Sequence, residues 1–165
     1  MKATRLVLSA TAVLAACSSS PTGSGNNGNN GGNNGGGSAA MSATLNTTAW
    51  SSAASYRATW TNKVISISGT STDYTTISIA VADVQVAGTY SLTFGNPNGG
   101  LVQIVSGTKV WSSGYPGGSG TLMLTSLSST HTKGTFSFVA IPAFTATSSA
   151  DTIRVSDGKF DMDIQ

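Results

Sequence analysis

Ile153-Arg154-Val155-Ser156-Asp157-Gly158-Lys159-Phe160-Asp161-Met162 carries the clearest fold signal in the chain. Asp-Gly between two alternating segments is the favoured two-residue type I′ turn. Such a turn sets Val155 opposite Phe160, Arg154 opposite Asp161 and Ile153 opposite Met162. One face is then wholly apolar, and the other holds an opposite-charge pair contributing ~0.2–1 kcal/mol. Turn chemistry and binary pattern agree, which predicts a terminal β-hairpin.

The same alternation runs upstream, with β-branched and aromatic residues on one parity and Ser or Thr on the other. After Ala40 no segment holds helical periodicity beyond a turn or two. Met41 to Leu45 opens the folded part, and Asn46-Thr47-Thr48 turns it towards Trp50. Tyr56 to Trp60 and Lys63 to Ile67 flank a turn at Thr61-Asn62. A two-residue turn there pairs Ala58 with Ile65 and Tyr56 with Ile67, so both apolar rows share a face. Thr76–Val81 and Gly88–Phe94 alternate cleanly. Leu101 to Val105 and Lys109 to Ser112 form a hairpin about Ser106-Gly107. Thr121 to Leu127 follows, then a turn from Ser128 to Lys133, then Gly134 to Ala140.

Gly95 to Gly100, Ser113 to Gly120 and Pro142 to Ala150 read as loops. About ten strands joined mostly by short links imply sequential antiparallel neighbours. The expected fold is all-β: an antiparallel meander that hides its apolar face by becoming a flattened barrel or a barrel-like β-sandwich. The strands are shorter than the roughly ten residues a transmembrane barrel needs, and a soluble domain is expected.

The first residues have the parts of an export signal: basic Lys2 and Arg5, an apolar run from Leu6 to Leu14, and small Ala15-Ala16 before a cut. The run is too short to cross a ~30 Å hydrocarbon core. Leu14-Ala15-Ala16-Cys17 resembles the lipobox of bacterial lipoproteins. That resemblance implies cleavage before Cys17, a diacylglycerol on its sulfur and acylation of the new N-terminus. Each buried methylene contributes ~0.8 kcal/mol, so two or three chains make a lasting anchor where one is marginal. Ser18, in place of the Asp that often marks inner-membrane retention in that family, is compatible with the outer membrane. Three regions follow: a signal peptide over 1–16, a lipidated Cys17 and tether over 17–38, and one domain over 39–165. Gly, Asn and Ser dominate the tether, where only Pro21 is apolar, and it is expected to stay disordered. Its flexible span is roughly 25 Å.

The formal charge of +2 belongs to the precursor. Without Lys2 and Arg5, six Lys and Arg face six Asp, and Glu is absent. A neutral, charge-poor surface excludes the clustered cations that nucleic acid demands. The single cysteine leaves no internal disulfide, so the domain relies on its own core and is expected to be monomeric.

The opening Trp50 hairpin, Gly88-Thr89-Tyr90, Gly134-Thr135-Phe136-Ser137-Phe138 and Asp157-Gly158-Lys159-Phe160-Asp161 together resemble a group of small bacterial lipoproteins of unknown function. In the opening hairpin, Thr47 or Thr48 replaces that group's customary glycine. The resemblance spans most of 41–165 and implies an all-β exported domain; it offers no activity.

Reactive chemistry is sparse. His131, the sole histidine, falls in a Ser/Thr-rich turn, and a Ser-His-Asp triad would have to use it; no nucleophile-elbow motif accompanies it. Asp157, Asp161 and Asp163 lack calcium-loop spacing, and one His with a lipidated Cys is poor zinc chemistry. No paired carboxylates mark a glycosidase cleft, and no motif calls for a cofactor. Trp50 and Trp60 are expected in the core. Trp111, Tyr115 and Phe144 lie in or beside flexible loops, where a ligand rim could form. The functional expectation is a non-catalytic, lipid-anchored envelope protein that presents a β-domain for binding or structural contact. The alternatives are a calycin-like carrier of a small apolar ligand, a carbohydrate-binding module and, more distantly, a hydrolase.

Overall fold

A computed structural model describes residues 40–93, 95–96, 100–143 and 151–165. The expected signal peptide, Cys17, the expected tether and Phe144 lie outside the described residues. The domain is all-β: eleven antiparallel strands in one curled sheet that forms a half-barrel. They are β1 (Met41–Leu45), β2 (Thr48–Ser51), β3 (Ser55–Thr61), β4 (Val64–Thr70), β5 (Thr76–Val81), β6 (Gly88–Ser91), β7 (Leu101–Ser106), β8 (Lys109–Ser112), β9 (Ser119–Leu127), β10 (His131–Pro142) and β11 (Ile153–Asp163).

The longest strand, β10, joins the two halves of the sheet. Thr132 to Val139 pair with β9 on one side, and His131 to Ala140 pair with β11 on the other. Its last two residues, Ile141 and Pro142, pair with β8 instead. Pro142 has no N–H to offer a ladder, so a strand end is where it fits. One half therefore runs β2-β1-β11-β10-β9-β6, and the other runs from the end of β10 through β8-β7-β5-β4-β3. A parallel bridge between Ala58 and Ile164, with the Gln165 N–H donating to the Ala58 carbonyl at 3.0 Å, brings β3 back to the end of β11.

Most links join neighbours, as the short connections predicted. The pairings β1–β11, β5–β7, β6–β9 and β8–β10 depart from a simple meander. Inward residues from every long strand fill the curl. Ile65, Ile67, Ile77, Ile79, Val102 and Ile104 are wholly buried, as are Met41, Leu92 and Leu122. The filling is tight. A methyl added at Gly69 would stand 2.7 Å from Ser52 and 3.0 Å from Trp50, and one at Gly100 would stand 2.5 Å from Val81. Trp50 is buried as expected, donating its indole N–H to the Thr75 carbonyl at 3.0 Å. Trp60 packs against the core half-buried and donates to the Val84 carbonyl.

Four local expectations are corrected. Asp157-Gly158 is no hairpin turn: β11 runs unbroken through it, pairing with β1 on one edge and β10 on the other. Asp157 alone takes positive φ, at 52°, and the register slips between Phe136 and Phe138. That is a β-bulge, in which one extra residue lets the inward parity pass from Val155 to Gly158, Phe160 and Met162. Arg154 and Asp161 therefore sit well apart along one strand. Second, the β3–β4 turn is Asn62-Lys63, with φ of 51° and 63°, so Ala58 faces Ile67 and Trp60 faces Ile65. The slip from the expected register is two residues, so the inward face survives. Third, β10 begins at His131, not after Lys133, because wholly buried Thr132 already belongs to its inward row. The strand expected from Gly88 to Phe94 closes at Ser91.

Candidate functional site

The bulge in β11 shapes the outer surface. It turns both Ser156 and Asp157 outward and leaves Gly158 inward against Phe136. A hollow of about 560 Å3 opens above it, walled by Thr89, Thr121, Met123, Thr135, Ser137, Asp157 and Lys159. A second hollow of about 420 Å3 lies across β1 and β2, walled by Ser42, Thr44, Ala49, Ser51 and the same Asp157 and Lys159. The two shared residues make them neighbours on one face.

Strand register explains the lining. Thr89 pairs with Met123, Met123 with Thr135, Thr135 with Lys159, Lys159 with Ser42 and Ser42 with Ser51. One outward row thus crosses six strands, at roughly 4.8 Å per strand, and four of its six side chains are hydroxyls. Ser137 and Thr121 pair in the next row. Each hydroxyl can both donate and accept. Met123, 42% exposed, adds a polarisable apolar surface among them. Lys159 makes no ion pair among the described residues.

A third hollow of about 310 Å3 lies between β2 and the Ser71–Thr75 turn. There the Ser71 hydroxyl donates to Asp73, as do the Thr75 N–H and hydroxyl. These donors, Ser71 first, hold the Asp73 carboxyl below its usual range. The carboxylate is taken up by its own turn.

His131 lies on the same outer face as the hydroxyl row. Its Nε2 meets Asp161 Oδ1 at 2.8 Å and its Nδ1 meets Asp163 Oδ1 at 3.0 Å. Lys133 Nζ reaches Asp161 Oδ2 at 2.8 Å. The Asp163 hydrogen bond, foremost, raises the His131 pKa; burial opposes it, and the Asp161 and Asp163 charges add to the rise. Lys133, foremost, lowers that of Asp161. Asp161 and Asp163 face outward. Ser128 bonds the His131 backbone, and among the described residues no serine hydroxyl meets the ring. Among the described residues no group of three or more His, Cys, Asp or Glu is placed to hold a metal.

Of the expected aromatic rim, Trp111 and Tyr115 line none of these three hollows, and Phe144 lies outside the described residues. Trp111 is half-buried against the core, its indole N–H donating to the Asp151 carbonyl at 2.7 Å. Tyr115, 38% exposed, stands in the following loop. Sequence reading missed the hydroxyl row because Ser and Thr on outward parity look like ordinary solvated residues. The bulge that gathers them was concealed inside an apparent turn.

Comparison with known families gives one match: residues 37–162 fit the model described as "Domain of unknown function (DUF6252)". No curated protein and no solved structure matches the chain.

Proposed function

The chain belongs to the DUF6252 family, and from that premise we propose a lipid-anchored cell-envelope protein, without catalytic machinery, that binds a neutral, hydroxyl-rich ligand across the outer face of β6, β9, β10, β11, β1 and β2. A surface glycan is the natural ligand class. The observation that carries this reading is the six-strand row from Thr89 to Ser51 over two adjoining hollows. Its donors and acceptors recur about once per strand spacing, ~4.8 Å, close to the length of one extended sugar ring. Met123 supplies a patch for the sugar's C–H face. Balanced charge across the mature chain favours a neutral ligand over a polyanion. Each such hydrogen bond replaces one to water and nets only about 0.5–1.5 kcal/mol, so avidity across an anchored array would provide useful strength.

The lipobox-like Leu14-Ala15-Ala16-Cys17 supports the anchor, with the outer membrane as address. The packed curl and the outward-opening hollows favour this reading over a calycin-like carrier. The test is affinity electrophoresis of the protein through gels containing a soluble β-glucan, a mannan or, as charged controls, heparin and DNA. Retardation by a neutral polysaccharide, lost in Thr135→Glu and Met123→Glu but kept in Tyr115→Ser, is expected. No retardation by any neutral polysaccharide, or retardation indifferent to the two Glu variants, would overturn the proposal.

A further inference from the structure

We propose that His131 is an acid-favoured clasp: as an imidazolium it fastens the end of β11 to the start of β10, and with it the seam where Ile164 and Gln165 reach β3. The geometry demands the charged ring. Carboxylate oxygens stand 2.8 Å and 3.0 Å from its two nitrogens, and a carboxylate only accepts. A neutral imidazole has a single N–H; only the doubly protonated form donates to both. Loss of one proton leaves a ring lone pair facing a carboxylate.

The two carboxylates are not equally held. Asp161 keeps Lys133 through its other oxygen. Asp163 has only His131 as an ion-pair partner among the described residues, and its side chain is 88% exposed. Deprotonation therefore frees Asp163. The next two residues carry the seam: the Ile164 N–H donates to the Thr130 carbonyl at 2.9 Å, and the Gln165 N–H to the Ala58 carbonyl at 3.0 Å. Thr130 and His131 are adjacent, so ring, link and seam move together.

Among the described residues the ring's ion-pair partners are Asp161 and Asp163. Lys133 faces the cluster from β10, and Asp161 and Asp163 face it from β11. The end of β9 and the Ser128–Thr130 link bring only hydroxyls and apolar groups. From β3, Arg57 stands next to Ala58 and makes no ion pair among the described residues. The raised His131 pKa agrees in direction with a ring held by two carboxylates.

The test is hydrogen exchange of the intact chain from pH 5 to 9, expressed as protection relative to an unstructured peptide at each pH, beside the His131 ring-proton titration. Protection of the Ile164 and Gln165 amides should fall as pH passes through the His131 midpoint, while that of Val102 and Ile104 stays constant. Asp163→Asn should move the midpoint down and carry the fall with it. His131→Gln should leave low, pH-independent protection at the seam. Constant protection of Ile164 and Gln165 across the range in the unaltered protein, which needs no variant to fold, would overturn the proposal. So would a fall that persists in His131→Gln.

Discussion

Gly158→Ala tests the bulge in β11 most sharply. An alanine Cβ at this position would overlap the Phe136 carbonyl oxygen and stand 2.5 Å from two carbons of the Phe136 ring. The oxygen is backbone of a strand paired on both sides, so it cannot swing away as a side-chain tip would. Overpacking a tight core costs about 1–3 kcal/mol, and a backbone obstacle puts this change at the upper end, about 2–3 kcal/mol. For a domain of this size that lowers the thermal midpoint by roughly 6–12 °C. Urea unfolding followed by tryptophan fluorescence gives the free energy. A double-mutant cycle with Phe136→Leu should recover part of the loss, because the smaller side chain removes the ring half of the clash. A glycine at the tip of a two-residue hairpin would face solvent and show neither effect. A loss below about 1 kcal/mol, strictly additive with Phe136→Leu, would refute the continuous strand.

Other outcomes follow from the same structure. Ile67→Ala, at a wholly buried site in β4, should cost about 2–5 kcal/mol in urea unfolding. Trp50→Phe should cost only about 0.5–1.5 kcal/mol by the same assay, because the Thr75 carbonyl it leaves still accepts from the Ser71 N–H. In thermal melts across pH, His131, with its pKa raised from 6.5, adds stability fully present below that value and lost as pH rises through the folded-state value. Asp73 and Asp161, lowered from 3.8, add stability present above that value and lost as pH falls through theirs; the stability maximum should thus lie between 3.8 and 6.5. Cys17→Ser should leave uncleaved, unlipidated precursor, read by mass spectrometry and membrane fractionation; a normal mature mass with unchanged fractionation would refute the anchor.

Binary alternation was enough to place nearly every strand, because an inward methyl row and an outward hydroxyl row are imposed by the pleat itself. Thr76–Val81 and Lys109–Ser112 coincide with β5 and β8. Asp157-Gly158 shows where local signals run out. The inward parity changes between Val155 and Phe160, and both a two-residue turn and a one-residue bulge produce that change. What separates them is non-local: β10 pairs with β11 over ten residues from His131 to Ala140, and half a hairpin is too short to cover it. Length of the partner was the signal available. The β3–β4 hairpin erred by two residues for a milder reason, since Asn62 and Lys63 both tolerate positive φ where Thr61 resists it. The outer hydroxyl row could not be read at all, because it exists only once β6, β9, β10, β11, β1 and β2 are set in register. The pairing of β1 with β11 joins the first strand to the last, and no local pattern announces it.

Chemical-shift mapping of the 15N-labelled protein with whichever neutral polysaccharide retards it bears most directly on the proposed role. Perturbation should centre on the amides of Thr89, Met123, Thr135 and Lys159 and spread to Ser42 and Ser51. Shifts gathered instead around Trp111 and Tyr115, with the six-strand row silent, would contradict the account.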